Sequence, residues 1–261
     1  MFHGVPARLD ELLSRNLGIS RTMVARLVDA GRVTDRAGRP IRDRKVAIPL
    51  PGDSGGGDGG DDIDGTAVVS VDGQATPLFE QALVLLHKPR GVVTALRDAR
   101  HPTAHALLRD APLFAELRPA GRLDLDTTGL LVWTTDGALI QRLTHPKRKV
   151  PRTYQAALTS DFGPPGPRQD LVLEDGHRPE IAELVTLAPG EIHPALAVPP
   201  ETRALASITI VGGAYHEVRR IFAALGSHVL GLCRTRFGPY ALPPELPAGA
   251  WQLLPSPRPR D

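Results

Sequence analysis

The sequence predicts an α+β protein in two parts: a small N-terminal unit over residues 6–75, and a domain over 80–256 with a mixed, largely antiparallel sheet flanked by helices. Three observations carry this prediction. Short apolar strands and amphipathic helices follow one another without regular βαβ alternation. Residues 52–64 are almost entirely glycine and aspartate, cannot bury a core, and so form a flexible insertion within the first unit. Charge is also partitioned. Residues 1–50 carry ten Lys+Arg against five Asp+Glu, residues 51–80 carry seven acids and no base, and the remainder is mildly basic. A basic unit and a mildly basic body suggest a polyanionic partner, with a solvated surface as the alternative.

Composition narrows the class further. With 41% hydrophobic residues in 261, the chain can fill one good-sized core and a small companion. No apolar run is long enough to span a bilayer, and the first residues lack the basic-then-apolar order of a secretion signal. A single cysteine, Cys233, excludes an internal disulfide and fits a cytoplasmic location. Aromatics at 4% argue against a long stacking platform for single-stranded nucleic acid.

In the first unit, Leu9, Leu12, Leu13 and Leu17 recur at helical spacing, and Gly18 ends the run. Ser20 caps a second helix with Met23, Val24, Leu27 and Val28 on its inner face, stopped by Gly31. Val33 opens a strand, Arg36-Ala37-Gly38-Arg39 turns it, and Lys45-Val46-Ala47-Ile48 returns. Thr66–Val71 reads as a last strand of this unit. In the larger domain, strands are expected at Ala82–Leu86, Leu130–Trp133, Tyr154–Leu158, Ala206–Val211 and Val229–Leu232, with helices at Gly137–Leu143 and His216–Leu225. Pro164–Pro167 and Pro194–Pro200 read as loops, and Pro255–Asp261 as a frayed tail.

The chemistry-bearing segment is Gly121-Arg122-Leu123-Asp124-Leu125-Asp126-Thr127-Thr128-Gly129-Leu130-Leu131, followed by Thr135-Asp136-Gly137. Two carboxylates and two hydroxyls sit on a loop between glycines, and the loop enters an apolar strand. Such a carboxylate serves as nucleophile, base or ligand, or simply closes an Asx turn. His101 and His105 stand four apart without a third ligand, which excludes a zinc site, and the Asp/Gly run ends in no Glu at a calcium-loop spacing. No Walker loop or dinucleotide motif is present, so no cofactor is expected.

The stretch from Ser20 to Val33, Ser-Arg-x-x-x-x-x-Leu-Val-x-x-Gly-x-Val, resembles the small RNA-binding domain named after ribosomal protein S4. That resemblance implies RNA contacts from Arg8, Arg21, Arg26, Arg32, Arg39, Arg42, Arg44 and Lys45. The Gly121–Gly137 segment resembles the signature of the RsuA-like ribosomal RNA pseudouridine synthases. Three further motifs follow the family's order: Leu86–Gly91, Arg152-Thr153-Tyr154, and Tyr215–Phe222. The resemblance implies that Asp124 is catalytic, that Tyr154 is the active-site tyrosine, and that Arg219 pairs with Asp124. It makes Asp126 structural; Lys88 and Pro89, in a stretch whose Pro and Gly force a turn, are read as shaping that turn rather than reacting. Departures are His87 for the usual Asn, Arg152 for Lys, Glu217 for Gln and Ala214 for a basic residue, with Glu217 expected to place a negative charge beside Arg219. Further RNA contacts are assigned to Arg122, Lys147, Arg148, Lys149, Arg152 and Arg220.

The implied reaction converts uridine to pseudouridine in ribosomal RNA or a pre-ribosomal particle, by a monomer without cofactor. The target base is flipped into a pocket. Asp124 must be ionised there, which a cation within ~4–6 Å favours. Tyr215-His216 and Phe222–Val229 match the enzymes acting on 16S RNA, while Arg234–Gly238 and Leu246–Trp251 match the 23S branch; 16S is favoured. The alternatives are a non-catalytic assembly factor that keeps the fold and, remotely, a glycosidase using Asp124 and Asp126.

Overall fold

In a computed structural model of the chain, residues 7–48, 67–163 and 171–255 are described. The insertion at 52–64, the loop at 164–167 and the tail beyond Pro255 lie outside them. The chain divides into two compact units, one up to Ala82 together with Ala111–Glu116, the other Leu83–Asp110 with Leu117–Leu254.

In the first unit, α1 (Leu9–Leu17) buries Leu9, Leu12 and Leu13 on one stripe. Gly18, at φ 64°, closes the helix in the left-handed conformation that glycine adopts without strain. In α2 (Arg21–Asp29), the Ser20 side chain accepts the Met23 amide at 3.2 Å. Val24, Leu27 and Val28 pack inward, but Met23 is 43% exposed, so the expected inner face is one residue narrower. The hairpin also differs. Strand β1 (Val33–Thr34) pairs not with Lys45–Ile48 but antiparallel with β2 (Ala67–Val71), which continues into β3 (Gln74–Leu78). The 45–48 backbone is engaged elsewhere: Leu9 N–H donates to Val46 O at 3.0 Å and Ile48 N–H to Ala7 O at 3.1 Å. Arg15 adds a bidentate ion pair to Glu116, drawing the 111–116 segment into this unit.

The second unit is built on one sheet. Its strands are β4 (Leu83–Lys88), β5 (Arg118–Ala120), β6 (Thr128–Thr134), β7 (Arg152–Leu158), β8 (Ile181–Thr186), β9 (Ala204–Ile210), β10 (Val229–Phe237), β11 (Tyr240–Ala241) and β12 (Trp251–Leu254). The order is β12-β4-β6-β10-β7-β9-β8, with β5 on β6 and β11 on β10. Among the strand pairings of this sheet only β6–β10 is parallel, in agreement with the mixed, largely antiparallel sheet expected. Strand β4 is buried along its whole length, consistent with a central position covered on both faces. β10 runs on past Leu232 to Phe237, because Arg234 and Arg236 continue the strand despite their charge.

Two helices complete the unit, α3 (Gly137–Thr144) and α4 (Glu217–Ala224). Val218, Ile221 and Phe222 form the buried stripe of α4. Asp136 caps α3, its Oδ1 accepting the Ala138 and Leu139 amides at 2.8 and 3.0 Å. Asp136→Ala is therefore expected to lower stability by about 1 kcal/mol, read as a shift in the urea midpoint at constant slope. No described helix is long and apolar enough to cross a membrane.

Candidate active site

The acidic loop is a tight turn, Thr127 N–H donating to Asp124 O at 3.2 Å, placed just before β6. Beneath it lies Lys88, the last residue of β4, completely buried. Its Nζ donates to Thr127 O at 2.7 Å and Pro89 O at 3.0 Å, with Leu125 O at 3.4 Å. Burial pushes the Lys88 pKa down to about 8, with Asp126 and Asp124 opposing the shift. Lys88 thus shapes the turn, as expected, by pinning its carbonyls from below.

On the α4 side, one expectation is corrected. The Arg219 guanidinium pairs with Asp126 rather than Asp124, Nη2 to Oδ2 at 2.7 Å, while its Nη1 donates to Val229 O at 3.2 Å. The cation beside Asp124 is instead His216 when protonated, with Nε2 3.6 Å from Asp124 Oδ1, longer than a hydrogen bond. The turn explains the exchange: the two carboxylates lie two residues apart, and α4 presents both His216 and Arg219 to them. His216 stands at the N-cap of α4 in the left-handed region, φ 50°, and stacks on the exposed Tyr215 ring with centroids 3.8 Å apart. Glu217, expected to burden Arg219, is engaged elsewhere. Its buried carboxylate meets His177 Nε2 and accepts the Ala214 amide, both at 2.9 Å.

Asp124, Tyr154 and Arg219 line one cavity of about 500 Å³, together with Arg122, Arg152 and Arg234. That volume lies within the range of small-molecule sites. Tyr154 enters from β7 and is 8% exposed. Phe237 carries two guanidiniums, those of Arg152 and Arg234, at 5.0 and 4.9 Å from its ring centre. Arg152 also donates to Gly212 O, and burial lowers its pKa. It is therefore a half-buried residue of the cavity wall. Among the described residues, five buried side-chain polar atoms lack a hydrogen-bond partner, and three of them, Thr127 Oγ1, Arg219 Nε and Arg234 Nη2, belong to residues lining this cavity. Such atoms are uncommon in folded proteins, and their concentration here marks a site arranged for something other than its own stability.

The RNA pseudouridylate synthase family matches residues 82–224. The chain is 32% identical over 256 residues to ribosomal small subunit pseudouridine synthase A of Escherichia coli (strain K12), covering 95% of this chain and 96% of the relative. The chain belongs to the RNA pseudouridylate synthase family. The enzyme of the same name from Vibrio cholerae is 34% identical to this synthase over 248 residues, covering 95% of each. A crystal structure of a pseudouridylate synthase superposes with a TM-score of 0.51 at 27% identity, again covering 95% of both chains.

The expected RNA contacts of the synthase fall into two groups. Arg26, Arg42, Arg44 and Lys45 are exposed, without an acid in ion-pair range among the described residues; so are Lys147 and Arg148, and Arg122 at the cavity. The others already have partners: Arg8 with Asp10, Arg21 with Glu11, Arg32 with Asp72, Arg39 with Asp35, Lys149 with Glu180, and Arg220 with Asp175. The pairs of Arg21, Arg32, Arg39 and Lys149 are largely exposed and exchange readily with other anions, whereas Asp10 is buried and Arg220 half-buried. Sequence reading missed His216 as a neighbour of the acid, taking Tyr215-His216 only as a mark of relatedness. It also missed Arg234, which an apolar-run search passes over.

Proposed function

We propose that this RNA pseudouridine synthase acts on ribosomal RNA of the small subunit, flipping one uridine into the 500 Å³ cavity beside Asp124. The observation that carries the reading is the meeting of Asp124, Tyr154 and a cationic wall in one cavity, in a chain alignable almost end to end with small-subunit enzymes. The C1′–N1 bond breaks, the uracil turns, and C5 joins C1′. Asp124 attacks C1′ or removes a ribose proton, and Tyr154 packs on the base. Arg219 serves by holding Asp126, and through it the turn that presents Asp124.

The test is to map pseudouridine in ribosomal RNA from cells with and without the gene, and to supply purified protein with a 16S transcript. One pseudouridine should vanish from 16S RNA in the deletion and be made in vitro. Its loss from 23S RNA would transfer the assignment to the large subunit, and no loss from either would refute it.

RNA capture is assigned to the first unit, an S4-like domain in this reading, through its exposed arginines and lysine. Reversing Arg42, Arg44 and Lys45 to Glu should weaken binding at least ~10-fold at moderate salt and flatten the salt dependence by roughly 0.7–0.9 for each phosphate no longer neutralised. Filter binding across a salt series measures both. An unchanged slope would remove this unit from the RNA interface.

A further inference from the structure

Arg234 is 1% exposed, on the central strand β10. Its Nε donates to Leu130 O at 2.9 Å and its Nη1 lies 3.5 Å from Arg122 O, at the limit of a hydrogen bond. Its Nη2 is buried with no partner. No carboxylate pairs with it among the described residues. An uncompensated buried guanidinium is strongly unfavourable, and an apolar side chain of similar volume would make a more stable sheet. The charge is therefore explained by what enters the cavity.

Its placement narrows the ligand. In the antiparallel register of β10 and β7, Arg234 stands directly opposite Tyr154, so both side chains rise from one face of the sheet. Through the parallel register of β10 and β6 it also lies beside Gly129, at the foot of the Asp124 loop. The Phe237 ring lies against the guanidinium. A phosphate would meet the exposed Arg122 at the rim; a group this deeply buried meets the base.

We propose that Arg234 donates a hydrogen bond from Nη2 to a carbonyl oxygen of the flipped uracil, stabilising the anion formed when the base leaves the ribose. The proposal rests on the functional reading above. When C1′–N1 cleaves heterolytically, the bonding pair stays with the ring and its charge spreads from N1 onto O2 and O4. When C5 bonds to C1′, that charge is used, the C5 proton leaves, N1 takes a proton, and the sum is an isomerisation. A fixed cation at one oxygen binds the bound uridine weakly and the detached anion strongly, which accelerates cleavage.

The experiment uses full-length protein and transcripts carrying uridine, 2-thiouridine or 4-thiouridine at the modified position. Arg234→Gln should lower the single-turnover rate on the order of 10²–10³-fold with RNA affinity within about twofold, and Arg234→Lys should recover part of the rate. One thio substitution should slow the wild type about tenfold, since sulfur accepts hydrogen bonds poorly, and that penalty should disappear in Arg234→Gln. A folded Arg234→Gln with wild-type rate, a loss confined to affinity, or an undiminished thio penalty in the variant would overturn the proposal. If near-UV circular dichroism shows Arg234→Gln unfolded, the wild-type series decides alone, and equal rates on all three transcripts overturn it. Wild-type protein inactive on every ribosomal transcript would refute the functional reading itself, and this proposal with it.

Discussion

Replacing Asp124 by Asn is expected to reduce pseudouridine formation by on the order of 10⁴-fold or more, with the unfolding midpoint and RNA affinity nearly unchanged. The separation follows from the geometry. The Asp124 side chain is 38% exposed and the His216 ring nitrogen beside it is 3.6 Å away, beyond hydrogen-bond reach, so little native interaction is lost with the charge. Surface changes of that kind stay within about ±0.5 kcal/mol. The amide keeps the shape but neither attacks C1′ nor takes a proton. Asp126→Asn is the informative control, because it removes the 2.7 Å partner of Arg219 and should perturb stability while sparing part of the rate. Single-turnover pseudouridine assays beside thermal melts distinguish the two. Activity within tenfold of wild type in Asp124→Asn would show that this carboxylate is not the reacting group.

The largest structural effect is expected from Gly129→Ala. Gly129 sits in β6 at φ +107°, a conformation that side-chain-bearing residues rarely adopt. An added Cβ would fall on the Arg234 carbonyl oxygen, 2.7 Å from the Arg234 amide nitrogen and 2.9 Å from Cys233 Sγ. Two of those three neighbours are backbone of the adjoining central strand and cannot turn aside. Strain and lost pairing together should cost about 4 kcal/mol, a large part of a typical 5–15 kcal/mol total. The melting temperature should fall by roughly 8–16 °C. Gly137→Ala serves as reference, because nothing lies within 4 Å of its Cβ position and it begins a helix. A Gly129→Ala melt within about 2 °C of wild type would contradict the close packing of β6 on β10.

These two positions also show how far the sequence alone reaches. The loop from Gly121 to Gly129 stands out because polar and acidic residues between glycines run into Leu130–Trp133, a contrast that survives any folding. Helix α4 is equally plain, since Val218, Ile221 and Phe222 repeat at helical spacing. Other elements are hidden for physical reasons. Strand β3, Gln74–Leu78, is polar and contains Pro77, so only its pairing with β2 makes it a strand. The far end of β10 reads as surface because Arg234 and Arg236 interrupt it, whereas pairing with β7 buries the first of them. The partner of Arg219 is invisible because Asp124 and Asp126 are chemically identical, and only the turn decides which one α4 meets. The return strand at Lys45–Ile48 has strand-like composition, but the start of α1 claims its backbone groups.

The parallel seam between β6 and β10 has a consequence for when the protein begins to work. The acidic loop ends on one strand and the buried guanidinium rises from the other, 104 residues later by the Arg234–Leu130 hydrogen bond. A chain emerging from its own ribosome therefore carries Asp124 long before it carries the far wall of the cavity. Until that late strand slots between two earlier ones, Asp124 and Tyr154 lack the wall that Leu232 and Arg234 supply, and the cavity is incomplete.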